Sequence, residues 1–87
     1  MKSFANKVVL VTGASRGIGR DIALAFAREE ARLVLAARSA DRLSQVQKEI
    51  SDLGAEAIAI PTDVTSPVAV EELVDAAVKH FGRIDVW

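Results

Sequence analysis

The sequence predicts an α/β fold: a doubly wound parallel sheet with strand order 3-2-1-4, incomplete on its C-terminal side. Three observations lead there. Short apolar runs recur along the chain without polar alternation, as strands covered on both faces require. Each run is followed by apolar residues at three- and four-residue steps, the spacing of a helix that buries one face. Glycine, serine or proline marks nearly every junction between the two kinds of segment. Successive strand–helix units of this kind assemble through right-handed crossovers, with helices on both faces of the sheet.

Lys7-Val8-Val9-Leu10-Val11 reads as the first strand. It runs into Thr12-Gly13-Ala14-Ser15-Arg16-Gly17-Ile18-Gly19, and Ile18, Ile22, Ala25 and Phe26 then follow at helical spacing. In such a strand-to-helix turn Gly13 bends tightly without a Cβ, and Gly17 leaves room for a ligand phosphate to approach the backbone. Gly19 is expected to let the helix lie close to the sheet. Unpaired N–H groups at the helix start, together with the positive end of its dipole, favour a bound diphosphate.

Arg32-Leu33-Val34-Leu35-Ala36-Ala37 is the expected second strand, with Ser39 as N-cap of the helix after it. That helix carries Leu43, Val46, Ile50 and Leu53 on one side and Arg42, Gln45, Lys48, Glu49 and Asp52 on the other. Gly54 stands where a left-handed C-terminal cap belongs. Residues 55–60 form the third strand, closed by Pro61. The third helix is the best marked: Ser66 caps it, and Pro67 takes the first position, where a missing N–H costs nothing. Val70, Leu73, Val74, Ala77, Val78 and Phe81 form its apolar stripe, and Gly82 ends it. Arg83-Ile84-Asp85-Val86-Trp87 is expected to begin a fourth strand. A terminus in mid-strand leaves an apolar edge, so the chain is expected to be the front of a longer protein.

Bulk properties narrow the function classes. Eighty-seven residues allow one small domain or a piece of a larger one. A net charge of −1 gives no field that points to nucleic acid or a membrane surface. Without cysteine there is no disulfide, thiolate metal site or thiol nucleophile, and no metal site is expected. Met1-Lys2-Ser3-Phe4-Ala5-Asn6 holds no apolar segment of signal-peptide length, and no apolar run nears the roughly 20 residues of a membrane span. A cytoplasmic protein is expected.

At Thr12, Gly13, Gly17, Ile18 and Gly19 the sequence resembles the short-chain dehydrogenase/reductase family, whose cofactor loop reads Thr-Gly-x-x-x-Gly-x-Gly. The resemblance runs through the whole chain and covers the first part of that family's usual domain. It implies that residues 1–87 are the N-terminal part of a single Rossmann dinucleotide-binding domain, with the catalytic remainder outside this chain. Gly13, Ser15, Arg16, Gly17, Ile18 and Gly19 would then hold the cofactor at the loop. Dinucleotide folds place an acid at the end of strand two to bind the adenosine ribose. Here Ala37 takes that position and Arg38 follows. An acid would repel a 2′-phosphate, whereas a guanidinium pairs with one bidentately. Arg16 can approach the same phosphate and Ser39 can donate its hydroxyl to it, so the resemblance implies NADP rather than NAD. The plainer reading makes both arginines ordinary solvated charges.

In the family an Asp at the position of Asp63 accepts from the adenine amino group, and the backbone of the next residue, Val64, contacts the ring. The plainer reading of Asp63 is a turn organiser. Asp85 matches a structural Asp. His80, in the last turn of the third helix beside Lys79, complements the helix dipole and lacks the partners of a catalyst. Between the first helix and strand two the family usually has a Gly, where this chain has Glu30 in Arg28-Glu29-Glu30-Ala31-Arg32. A left-handed conformation there would cost about 1 kcal/mol relative to Gly.

The resemblance implies an oxidoreductase that moves a hydride between NADP(H) and a small-molecule carbonyl or secondary alcohol, and that forms a homo-oligomer at full length. The family's proton-transferring Tyr, in Tyr-x-x-x-Lys, cannot lie here, because the chain has no tyrosine. By itself this stretch should be inactive. The alternative reading is a non-catalytic dinucleotide-binding module, or a truncated relative lacking the catalytic Tyr and Lys. A sugar-nucleotide epimerase-like relative fits less well, since Gly-x-x-Gly-x-x-Gly does not match residues 13–19.

Overall fold

Val8, Val9, Leu10 and Val11 can all be apolar because the strand they form is covered on both sides. Consecutive side chains of a strand point to opposite faces, so a two-sided core needs an unbroken apolar run. The computed structural model describes residues 4–87; the start of the N-terminal stretch, Met1-Lys2-Ser3, lies outside the described residues. The elements are β1 (Val8–Thr12), α1 (Gly17–Arg28), β2 (Arg32–Ala37), α2 (Ala40–Asp52), β3 (Ala57–Pro61) and α3 (Pro67–Phe81). The three strands are parallel, with β2 between β1 and β3, and Val8 opposite Arg32 and Leu33 opposite Ala57 set the register. On one face Val9, Val11, Leu33 and Leu35 pack with Ala23, Leu24 and Ala27 of α1 and Leu43, Val46 and Ile50 of α2. On the other, Val8, Leu10, Val34 and Ala36 pack with Leu73 and Ala77 of α3.

The expected fourth strand is not formed. Residues 83–87 contribute a single parallel bridge, Val9 to Val86, beside β1. The Val86 carbonyl accepts the Leu10 N–H at 2.8 Å, and the Asp85 N–H donates to the Val8 carbonyl at 2.8 Å. The Asp85 carboxylate accepts the Val8 N–H at 2.8 Å and the Arg83 Nε–H at the same distance. Those two donors, the backbone N–H foremost, hold the Asp85 carboxyl below the usual range. Asp85 thus satisfies a donor that a neighbouring strand would otherwise take, which is a structural task.

The sequence pattern misidentified the inner face of α1. Ile18 and Ile22 are 79% and 43% exposed, Ala25 is exposed, and Phe26 is half-buried with its ring 4.8 Å from that of Phe4. The sheet is met instead by Leu24 and by Ala23 and Ala27, two small side chains that let the helix axis approach. Leu53 also leaves its expected stripe: it sits at the C-cap of α2 and is exposed, while Leu43, Val46 and Ile50 are buried. In α3, Leu73 and Ala77 are buried, whereas Val78 is exposed. β3 starts two residues later than expected and includes Pro61, which an edge strand tolerates.

The helix caps lie where the sequence put them. Ser39 Oγ accepts the Arg42 N–H, and Ser66 Oγ accepts the Ala69 N–H, each at 3.3 Å. Gly54 and Gly82 take φ of 85° and 88°, as left-handed helix ends require. Lys79 and His80 occupy the last turn of α3. Glu30 does adopt the left-handed conformation, with φ of 62°. Glu30→Gly is therefore expected to stabilise the protein by about 0.5–1 kcal/mol, read as a higher denaturation midpoint. An unchanged or lower midpoint would show that the Glu30 backbone carries no such strain.

Candidate functional site

The carboxyl ends of the parallel strands are where the chain leaves the sheet, and three connections gather there. The first follows β1. Gly13 takes φ of 63° and Gly17 a φ of 60°, both in the left-handed region, and a Cβ on either would meet nothing within 4 Å. Their requirement is conformational, and the space above them is open. Ala14 between them is buried and donates its N–H to the Ala36 carbonyl at 3.2 Å, which ties the turn to the end of β2.

Gly19 differs. A Cβ there would lie 2.0 Å from the Gly13 carbonyl oxygen and 2.6 Å from its carbon. The close approach is thus between the first turn of α1 and the turn after β1, not between helix and sheet as expected from sequence. At the N-cap, Arg16 is extended and its side chain makes no capping hydrogen bond, and no acidic residue stands in the first turn. α2 and α3 cap themselves with serine; among the described residues, α1 has no side-chain acceptor at its leading N–H groups. A helix start in that state suits an anion.

A groove of about 320 Å³ opens beside this turn, bordered by Gly13, Ser15 and Arg16, by Arg38 and Ser39 after β2, and by Val64 after β3. Gly17, Ile18 and Gly19 form the adjacent first turn of α1. Since Ser39 Oγ accepts from Arg42 as a cap, its hydroxyl proton remains free to donate. Arg42 also borders the groove, and the sequence reading missed it by assigning it to the solvent side of its helix. The available signal was its place in the first turn of α2, next to the positive dipole end, where a cation is disfavoured unless an anion joins it. Among the described residues, Arg16 and Arg42 form no ion pair. Arg20 of α1 pairs with Glu49 of α2, its Nε donating at 3.0 Å, which joins the helix bearing the turn to the helix bearing Arg42.

Asp63 stands between Thr62 and Val64, which both border the groove. Its Oδ1 accepts the Thr65 hydroxyl at 2.6 Å, the Thr65 N–H at 3.0 Å and Arg38 Nη2 at 3.0 Å, while its carbonyl accepts the Ser66 N–H at 3.0 Å. The turn-organising reading of Asp63 is therefore met. The Thr65 hydroxyl above all, then the Thr65 N–H and Arg38, pull its carboxyl from 3.8 to about 2. A pKa lowered by folding stabilises the folded state above the unfolded value and ceases to do so as pH falls through the folded one. The stabilisation that Asp63 contributes is thus expected to be fully present above about pH 4 and to fade as pH falls toward 2, where the folded-state carboxylate itself takes up its proton and releases its donors. A carboxyl resonance that titrated at the ordinary value would contradict this.

A family model described as short chain dehydrogenase matches residues 7–87. The chain is similar to the hydroxynaphthalene reductase-like protein Arp2 of Metarhizium brunneum, 46% identical over 86 residues, which cover 98% of this chain and 32% of that protein. It is also similar to the 1,6-dihydroxycyclohexa-2,4-diene-1-carboxylate dehydrogenase of Acinetobacter baylyi, 49% identical over 83 residues, or 95% of this chain and 31% of that protein. The chain thus spans about a third of the length of these curated relatives. Among solved structures, the alcohol dehydrogenase of the archaeon Thermococcus sibiricus, complexed with 5-hydroxy-NADP, superposes with a TM-score of 0.88 at 43% identity, covering 92% of this chain and 35% of that one. An NAD+-bound xylitol dehydrogenase superposes with a TM-score of 0.93 at 38% identity, covering 97% of this chain and 33% of that one. Structural neighbours therefore include both NADP-type and NAD complexes.

Proposed function

Since this chain belongs to the short-chain dehydrogenase family, we propose that it forms the cofactor-binding part of an NADP-dependent oxidoreductase acting on a small-molecule carbonyl or secondary alcohol. One observation supports this most: an uncapped, glycine-built helix start opens onto a groove bordered by Arg16, Arg38 and Arg42. The leading N–H groups of α1, from Gly17 to Gly19, would hold the diphosphate, with Ser15 beside them. Arg38 and Arg16, with Arg42 and the Ser39 hydroxyl, would hold the 2′-phosphate, and their positive charge separates NADP from NAD. Asp63 and the Val64 backbone would meet the adenine. When bound, the cofactor supplies the hydride acceptor or donor. The residues that position the substrate oxygen and move its proton belong to the part of the relatives' length beyond this chain. The protein is proposed to be cytoplasmic and homo-oligomeric at full length. No helix among the described residues is long and apolar enough to cross a membrane.

The test is a fluorescence titration of the full-length polypeptide with NADPH and with NADH, followed by NADPH oxidation in the presence of carbonyl substrates. NADPH is expected to bind about tenfold tighter or more, as loss of charge-assisted contacts implies. Tighter NADH binding would overturn the cofactor assignment. Binding without turnover of any carbonyl or alcohol would favour the non-catalytic module.

A further inference from the structure

Arg38 and Asp63 are 25 residues apart and belong to different connections, yet their side chains meet at 3.0 Å. We infer that Asp63 is a positioning residue for cofactor discrimination: fixed by Thr65, its carboxylate braces the Arg38 guanidinium at the edge of the groove, so that the groove favours a 2′-phosphorylated adenosine. The inference rests on the proposal above that Arg38 meets that phosphate.

The geometry orders the three residues. Thr65 supplies two donors to Asp63 Oδ1, and Arg38 supplies the third. Arg38 borders the groove, and the Asp63 carboxylate holds one of its N–H donors there. Nη2 is used toward Asp63, and the remaining N–H donors of the fork stay available for an anion. The Arg38 side chain is 73% exposed. Unbraced, so exposed an arginine would surrender much of its rotamer freedom on meeting a ligand; held in place beforehand, it surrenders less.

Fold stability does not account for the pair, since exposed ion pairs add little. Nor does the carboxylate empty the groove of positive charge. It offsets one guanidinium, while Arg16 and Arg42 keep no carboxylate partner among the described residues. A dianion therefore meets a positive field as well as a prepared fork.

The readout is the ratio of NADH to NADPH dissociation constants, measured by fluorescence titration of the full-length polypeptide. Both cofactors carry the same adenine, so any adenine contact of Asp63 cancels in that ratio. Asp63→Asn keeps an acceptor for Thr65, so the turn is retained, and removes the charge that holds Arg38. It is expected to lower the ratio about two- to fivefold, the span of an exposed charge pair. In an Arg38→Ala background the same change is expected not to lower the ratio, because a carboxylate without its guanidinium can only repel the 2′-phosphate. Thr65→Val, which loosens the brace one step back, should lower it by less. A ratio that stays constant or rises in Asp63→Asn, or that falls equally without Arg38, overturns the brace. Arg38→Ala alone separates the two levels: if it leaves the ratio unchanged, the phosphate assignment fails and takes the brace with it.

Discussion

Gly19→Ala is expected to cost about 3 kcal/mol of stability or more, and to cut cofactor affinity roughly a hundredfold. The added methyl would lie 2.0 Å from a backbone carbonyl oxygen and 3.2 Å from the Ala14 Cα, so no side chain can rotate away to make room. Either the first turn of α1 or the turn after β1 must shift. The first turn of α1 carries the N–H groups proposed to hold the diphosphate, and the turn after β1 abuts it, so folding and binding are expected to fail together. Gly13→Ala is a useful contrast. It meets no atom within 4 Å and suffers only from a φ of 63°, for which about 1–2 kcal/mol is the ordinary cost. Denaturation curves and NADPH titrations of the two variants should rank Gly19→Ala well below Gly13→Ala. Equal losses would mean that the carbonyl contact at Gly19 is not what fixes the loop.

Arg38→Ala should weaken NADPH binding by about 1–3 kcal/mol, roughly 5- to 150-fold, with little change for NADH. The difference follows from chemistry at one atom group: only NADPH has the 2′-phosphate, and only a charged donor gains from it. Loss of Arg38 also frees Asp63 from its partner and leaves a carboxylate near the adenosine site, which again disfavours the more negative cofactor. Arg16 and Arg42 remain, so the loss is partial. Equal weakening of both cofactors would refute the assignment.

What the sequence made legible, and what it did not, follows from how far each interaction reaches. Ser39, Ser66, Gly54 and Gly82 act within a turn of their own position, and each was placed correctly. The inner face of α1 was not, because Ile18 and Ile22 outrank Ala23 and Ala27 on any hydrophobicity scale while close packing onto a sheet prefers the smaller side chains. The fourth strand was expected from three apolar residues, yet pairing needs partners along its length, and only Val86 bridges. At the site the glycine loop and Arg38 were readable as a local motif. The contacts from Arg38 to Asp63 and from Gly19 to Gly13 depend on how separate segments meet. Arg42 was overlooked because helix periodicity sorts residues around the axis and is silent about which end of the helix faces a ligand.

The most direct measurement is a crystal structure of the full-length polypeptide with NADP+. The expected density places the diphosphate against the leading N–H groups of α1, at Gly17, Ile18 and Gly19, and the 2′-phosphate among Arg16, Arg38, Ser39 and Arg42. A diphosphate lodged away from that helix start, with the adenosine outside the groove, would contradict the claim on which everything else depends.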